Sequence, residues 1–578
     1  MKQRHMETVT FTINGRQVVT EQGTTILEAA KRFGVAIPTL CNHPDLPPSG
    51  TCGMCVVSVA GRQDTVRACA TIAEEGMDIT TESLALIEER KKNLDSILGH
   101  HLLECDDCVF LQKCHLLELV REYQAKPSAI RREQDEILQS GAIVFDQTKC
   151  IGCGNCTLVC PTGYLEMRED GKMRLTDDKS KECINCAQCV IHCPVGAIEG
   201  VGEFEELEKL FEDGSKVMVA QFAPSIRTSI GEEFGYRPGE IVTDKLSAGL
   251  RALGFHHVFD TASAADFTTI EEAGELLERL ASGENLPAMT SCCPSWVRFV
   301  EFFYPEFLPN LATSRSPQIM LGGIVKHILP ERIGRNAEDI VVVSIMPCVS
   351  KKYEVRREEL KIDGLFPVDR VLTTRELARL FKKRGIDLGR LDPEPADDPL
   401  GDPSGAGVIY GSSGGVFESA LRTAYFRATG ENIPDGAVRE IRGHEGIKRK
   451  EIDINGKTVR LAVVSGLHNA RMILDELREN PHAYDAVEVM TCPGGCVGGG
   501  GQPIPSSKEA IWKRAQALYD IDRDKTMRRA HENKAVADIY RDHLADEETR
   551  KKILHTSYSK KRRRIVKKLK NSKEPYEL

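Results

Sequence analysis

The sequence predicts a multidomain chain of α+β and α/β type, and three observations carry that prediction. Its 578 residues exceed what one hydrophobic core organises, so several domains are expected. Fifteen of its twenty cysteines lie before residue 200 in short, repeated spacings, while five are scattered through the rest. Beyond residue 210, short apolar runs rich in Val and Ile alternate with helical stretches. No apolar run reaches the roughly 18 residues that span a bilayer. The start, MKQRHMETVTFTINGRQVV, lacks the apolar centre of a secretory signal. A cytoplasmic chain without membrane insertion is therefore expected, where thiols stay reduced and metal binding is a better reading of cysteines than disulfides.

Net charge is −9, but residues 559–578 hold nine Lys and Arg against two Glu, leaving about −16 on the remainder. The tail reads as a mobile, solvated end. Docking of an acidic electron carrier, or contact with anionic lipid or nucleic acid, is the alternative. No aromatic or groove-reading motif accompanies it, so no nucleic-acid partner is expected.

Residues 7–20 read strand, Asn14-Gly15 turn, strand, and Thr24-Thr25 opens a short helix, ILEAAKRFG, closed by Gly34. Cys41, Cys52, Cys55 and Cys69 follow as C-x10-C-x2-C-x13-C. Hairpin, helix and cysteine loop resemble the β-grasp ferredoxin that carries a [2Fe-2S] cluster, in the variant found at the front of large hydrogenases and respiratory dehydrogenases. Zinc is the alternative on spacing alone.

His101, Cys105, Cys108 and Cys114 come next, an imidazole and three thiolates. Zinc favours such a set, but between two iron–sulfur modules a [4Fe-4S] cluster with one His ligand is the better reading. His100 is the other candidate for that ligand. The runs KCIGCGNCTLVCP and ECINCAQCVIHCP each read C-x2-C-x2-C-x3-C-P, in which the fourth cysteine ligates the other cluster. One cubane then takes Cys150, Cys153, Cys156 and Cys193, and the other takes Cys183, Cys186, Cys189 and Cys160. Such modules conduct electrons, so the chemistry lies further along.

KVMVAQFAP, DIVVVSIMPC, GAGVIYG, VRLAVVSG and AVEVMTC read as buried strands, with TTRELARLFKKRG among the helices between them. Ligands of such sheets gather beyond the carboxyl ends of strands. Cys348 and Cys492 stand at two such ends, and Cys292-Cys293 follows LPAMTS. Three segments, TSCCPSW (290–296), MPCVSKKYE (346–354) and VMTCPGGCVGGGGQP (489–503), look like the three signatures of iron-only ([FeFe]) hydrogenases. With the cluster modules in matching order, the resemblance covers residues 7 to about 555.

The resemblance implies reversible H2 ⇌ 2H⁺ + 2e⁻ at an H-cluster, a [4Fe-4S] cubane bridged to a two-iron subsite with carbon monoxide, cyanide and a bridging azadithiolate. Cys293, Cys348, Cys492 and Cys496 would hold it, Cys496 bridging. Lys351 and backbone N–H groups near Pro224-Ser225 would serve the cyanides, with Pro317, Gln318, Met346 and Met490 alongside. Gly494, Gly495 and Gly498 to Gly501 would let the backbone come close. Cys292, not needed as a ligand, would pass protons at an ordinary thiol pKa, and a helix over 268–281 would continue the path through Glu272, Glu275 and Arg279.

The resemblance further implies one [2Fe-2S] and three accessory [4Fe-4S] clusters, maturation enzymes, and ferredoxin or an NAD(P)-linked partner subunit as electron carrier. Alternatives are the catalytic subunit of an electron-bifurcating assembly or a non-catalytic hydrogen sensor. No nucleotide-binding glycine fingerprint is apparent, so any NAD(P) site lies on another chain. Two departures stand out. Ser295 replaces the usual Gly, and Ala312 stands where a relaying Ser is expected, so that water, Thr313 or another route must fill the gap. The implied division is 1–84 β-grasp [2Fe-2S] domain, 85–125 His/Cys3 domain, 126–208 two-[4Fe-4S] ferredoxin domain, 209–510 two-lobed α/β catalytic domain and 511–578 helical segment with the basic tail.

Overall fold

The computed structural model describes residues 7–569 except 100, 102–104, 106–113, 127–134 and 444, so His100 and Cys108 lie outside the described residues. The front sheet is five-stranded, in the order Arg16–Glu21, Thr8–Ile13, Asp78–Thr80, Val56–Val59 and Val66–Arg67. Asn14 and Gly15 both take the positive φ that a two-residue hairpin turn needs, pairing Ile13 with Arg16. Helix Ile26–Arg32 starts on a capping box, Thr25 with Glu28, and buries Ile26, Ala29 and Ala30 against the sheet.

The second module pairs Ile198–Gly200, Ile143–Asp146 and Ile137–Ser140, and a fourth strand, Lys567–Leu569, joins from the far end of the chain. This corrects the expectation of a mobile, solvated tail, as far as residue 569. Strand Ile137–Ser140 offers an open edge of N–H and C=O groups, which the tail covers. Carboxylates meet its charge: Arg564 N donates to Glu182 (2.8 Å), while Lys568 and Lys561 pair with Glu136 (2.6 Å) and Glu359 (3.0 Å). Arg298, buried in the catalytic region, clamps Glu182 (3.1 Å) and donates to the Arg562 carbonyl (2.7 Å).

The catalytic region has two four-stranded sheets. The first, His257–Asp260, Val217–Phe222, Ile340–Met346 and Arg370–Thr373, is wholly parallel. The second runs Ala288–Met289, Ala486–Met490, Lys457–Ser465 and Ile447–Ile454, with only the last antiparallel. Four of the five apolar runs are strands. GAGVIYG is not: Gly405–Val408 is helical, capped by Ser404 accepting from Gly407 N. A Cβ on Gly407 would strike the Ala262 carbonyl, so these glycines serve close packing rather than a pleat.

The helix expected over 268–281 begins earlier, spanning Thr261–Ser282 with Asp260 as cap. Its first nine residues are buried all round and so show no amphipathic period. Helices Lys508–Asp524, Lys534–His543 and Glu547–Leu554 follow. No helix among the described residues is long and apolar enough to cross a membrane.

Candidate active site and electron path

Cysteines stand beyond the carboxyl ends of strands in both catalytic sheets. Cys348 follows strand Ile340–Met346, Cys492 follows Ala486–Met490, and Cys293 caps helix Pro294–Phe303 just beyond Ala288–Met289. The Cys492 thiol is pushed well above its ordinary range, by burial first and then by its neighbours Cys348, Cys293, Cys186 and Cys496. Cys348 and Cys496 are each pushed up to about 12, again by burial first and then by Cys293. The four sequence-predicted sulfurs thus lie within electrostatic reach of one another. Buried thiols of this kind ionise only against nearby positive charge, which fits the irons of a cluster.

A second observation fits the two-iron subsite. The Ser225 hydroxyl is fully buried on the turn Pro224–Thr228, yet finds no hydrogen-bond partner among the described residues. The Gln318 carbonyl oxygen is orphaned in the same way. Lys351 donates to the Cys292 carbonyl (3.0 Å) and to Glu354 (2.8 Å). Burial works against its charge, but Glu354 outweighs it and holds the ammonium above its ordinary pKa. Glu354, missed in the sequence, also accepts from Ser316 (3.0 Å) and Gln318 (2.6 Å), where Pro317 opens helix Pro317–Ile333. The spacing of Lys351 and Glu354, i and i+3 on one helix, was its signal.

Met490 packs with Ala265, Tyr410 and Val416 against Cys292 and Cys496. Met346 is buried at the end of its strand, and Ser295 in the first turn after Cys293. The glycine loop comes close to protein rather than to open space. A side chain on Gly499 would meet the Pro347 carbonyl, and one on Gly500 would meet Ala187 of the ferredoxin module.

Protons and electrons have separate surroundings. Cys292 is pushed well above the ordinary thiol range, by burial and then by Glu272, with Lys351 opposing. The direction is upward from the ordinary thiol pKa that the resemblance implied. Burial raises Glu272 to about 8, the Ser314 hydrogen bond opposing and Glu275 and Glu488 adding. Ala312 leaves its place without a hydroxyl, and the gap is met from its neighbours. Ser314 donates to Glu272 (3.0 Å), and Thr313 donates to Glu275 through its backbone N (3.0 Å), with its hydroxyl oxygen 3.2 Å from the same carboxylate oxygen. Ser314 was missed because nothing in NLATSRSPQ says which of its hydroxyls turns inward. Arg279 pairs with Glu275 (2.5 Å).

On the electron side, Cys55 Sγ lies 3.2 Å from Cys69 Sγ, and Cys69 feels Cys41 and Cys52 as well. Cys150, Cys153, Cys156 and Cys193 wall one cavity with Met167 and Met173. Cys189 is pushed up by burial and then by Cys186, Cys183, Cys160 and Cys156, which places the second crossed set beside the first. The sets adjoin throughout. Asn155 donates to the Cys41 carbonyl (3.1 Å), and Gln188 to Cys492 Sγ (3.3 Å). His101 is buried and its Nδ1 donates to the Lys149 carbonyl (2.7 Å), leaving Nε2 for a metal. Cys105 and Cys114 lie within electrostatic reach of each other.

Residues 216–500 match the C-terminal domain of the iron-only hydrogenase large subunit, and 508–561 the iron hydrogenase small subunit. Residues 6–83 match a 2Fe-2S iron-sulfur cluster binding domain and 142–201 a 4Fe-4S dicluster domain. The first of these favours iron over zinc for the Cys41 set. The chain is 38% identical over 587 residues to the NADP-reducing hydrogenase subunit HndD of Solidesulfovibrio fructosivorans, covering 96% of this chain and all of that one. It is 38% identical over 573 residues to iron hydrogenase 1 of Clostridium pasteurianum, covering 95% and 100%. A solved [FeFe]-hydrogenase of Chlamydomonas reinhardtii superposes with a TM-score of 0.55 at 38% identity, covering 61% of this chain and 98% of that one. Four cysteines gathered from three distant signatures, behind iron–sulfur modules in the same order, therefore place this chain in the iron-only hydrogenases.

Proposed function

We propose that this hydrogenase runs H2 ⇌ 2H⁺ + 2e⁻, and that Cys293, Cys348, Cys492 and Cys496 would hold its H-cluster. The observation that carries this reading is that Cys492 lies within electrostatic reach of Cys348, Cys293 and Cys496, and of Cys186 of the ferredoxin module. The H-cluster supplies the redox chemistry. The chain holds it, excludes water and moves protons. Lys351, kept charged by Glu354, and the orphaned Ser225 hydroxyl donate to anionic ligands in a pocket where a lone anion would be costly. Met346, Met490, Pro317 and Gln318 shape the apolar side. Cys292, Glu272 and Glu275 carry protons, helped by Ser314 and Thr313, and Arg279 fixes the outer carboxylate.

Cys41, Cys52, Cys55 and Cys69 would hold one [2Fe-2S] cluster, and three [4Fe-4S] clusters beyond it would complete an electron relay. Two of these sit on the crossed sets, and the third on His101, Cys105, Cys108 and Cys114. The domain division 1–84, 85–125, 126–208, 209–510 and 511–578, with a β-grasp first domain and a cytoplasmic location, goes with this reading. Maturation enzymes load the cluster and ferredoxin takes the electrons.

A second reading is favoured by one observation: a relative similar along its whole length is named an NADP-reducing hydrogenase subunit. Native co-purification of a nucleotide-binding partner would support it. The main reading is tested with Cys292→Ala in matured protein. Turnover is expected to fall by about 10²-fold or more with iron content unchanged. Wild-type turnover would remove Cys292 from the proton path.

A further inference from the structure

We propose that the proton path leaves the protein through Thr313, His555 and Glu271, so that a segment near the end of the chain forms its outer part. The proposal rests on the reading that Cys292, Glu272 and Glu275 carry protons, and extends it outward. Thr313 Oγ1, which contacts Glu275 at 3.2 Å, lies 2.9 Å from His555 Nδ1. His555 Nε2 lies 3.0 Å from Glu271 Oε2, and the Tyr540 hydroxyl donates to the other Glu271 oxygen (2.5 Å). A carboxylate only accepts, so the ring hydrogen is assigned to Nε2, and the Nδ1 lone pair faces the threonine.

Arg279 does not offer the same exit. Its Nη1 donates to the Asn285 and Asn310 carbonyls, and its Nη2 to Glu275 and the Leu311 carbonyl. A guanidinium keeps its proton at any working pH, so it anchors Glu275 and cannot pass a proton on. An imidazole has one donor and one acceptor nitrogen, so it can take a proton on one side and release it from the other. The His555 side chain is 24% exposed against 16% for Glu275 and 10% for Arg279, and Thr313, which joins it to Glu275, is itself exposed.

The fold fixes this contact. His555 follows helix Glu547–Leu554 and bridges Ser314 through the backbone, while Thr556 N donates to the Thr313 carbonyl (2.8 Å) and Arg315 to the His555 carbonyl (2.7 Å). The stretch that turns Ser314 toward Glu272 therefore also seats His555. Glu271 and Glu275 from helix Thr261–Ser282, Arg315, Arg550 and Tyr540 are the charged and titratable groups around it, with Arg427 beyond Tyr540. In the outward step, a protonated Glu275 gives its proton to the Thr313 oxygen as the hydroxyl proton passes to Nδ1. The imidazolium then releases its Nε2 proton to Glu271 or to water, and the reverse order serves proton uptake.

The test uses matured full-length enzyme carrying His555→Gln, His555→Ala or Thr313→Val. Each is expected to lower H2 evolution about tenfold or more and to change the shape of the pH profile. Added imidazole should restore His555→Ala. The thermal midpoint and the infrared bands of the active site should not move, which a merely structural role would not allow. Wild-type rates and pH profile in Thr313→Val and His555→Gln, beside an inactive Glu272→Gln, overturn the exit alone. A fully active Glu272→Gln overturns the inner route together with it.

Discussion

Glu272 sits where burial holds its carboxyl protonated up to about pH 8, one hydrogen bond from Ser314. A carboxylic acid kept neutral is a proton donor at neutral pH, which suits the group next to a buried thiol. The same shift is a statement about stability. The folded chain keeps this proton between about 4.5 and 8 while the unfolded chain has lost it, so stability falls as pH rises through that window. Glu272→Gln should therefore flatten the fall in thermal midpoint between pH 5 and 8, and a wild-type slope in that variant would contradict the assigned burial. Ser314→Ala removes the relaying hydroxyl. It should slow turnover about 10²-fold, with partial recovery on adding Ala312→Ser. An unchanged rate in the single variant would mean that protons reach Glu272 another way.

At the scale of elements, what could be read in advance followed from local chemistry. The Asn14-Gly15 hairpin and the helix opened at Thr25 each depend on residues within a short window, and each appears as expected. The failures share a different cause. GAGVIYG has a strand's composition, but its glycines are chosen for contact with Ala262, far away in sequence. Helix Thr261–Ser282 starts early because its first turns are wrapped by other elements, which erases the period a sequence displays. Ser314 and His555 became visible only when the fold set 314 beside 555. The Gly500 loop makes a similar point, since its glycine answers to Ala187 across a module boundary. Gly500→Val should overpack that contact, costing about 1–3 kcal/mol. Reduction of the active site through the clusters should slow more than turnover with a small dye that reaches it directly, and equal losses by both assays would argue against Gly500 as the seat of the electron-transfer contact.

The whole molecule is organised as a line of sulfur sites closed by the tail. Cysteine sets adjoin at Asn155–Cys41 and at Gln188–Cys492, along the proposed electron route, and Arg298 ties catalytic region, ferredoxin module and tail together at Glu182. A basic tail looked solvated because charge alone does not reveal the acidic partners waiting for it. Removing residues 560–578 should expose the edge of strand Ile137–Ser140 and lower the thermal midpoint, while ionic strength should weaken the wild-type contact. A truncated chain as stable as the full one at low salt would return the tail to solvent. The central claim, that Cys293, Cys348, Cys492 and Cys496 share one H-cluster, is tested most directly by anaerobic infrared spectroscopy on matured protein. The account predicts bands of metal-bound carbon monoxide and cyanide that disappear in Cys496→Ala. A fully iron-loaded, correctly matured chain without those bands, or one that keeps them in Cys496→Ala, would contradict it.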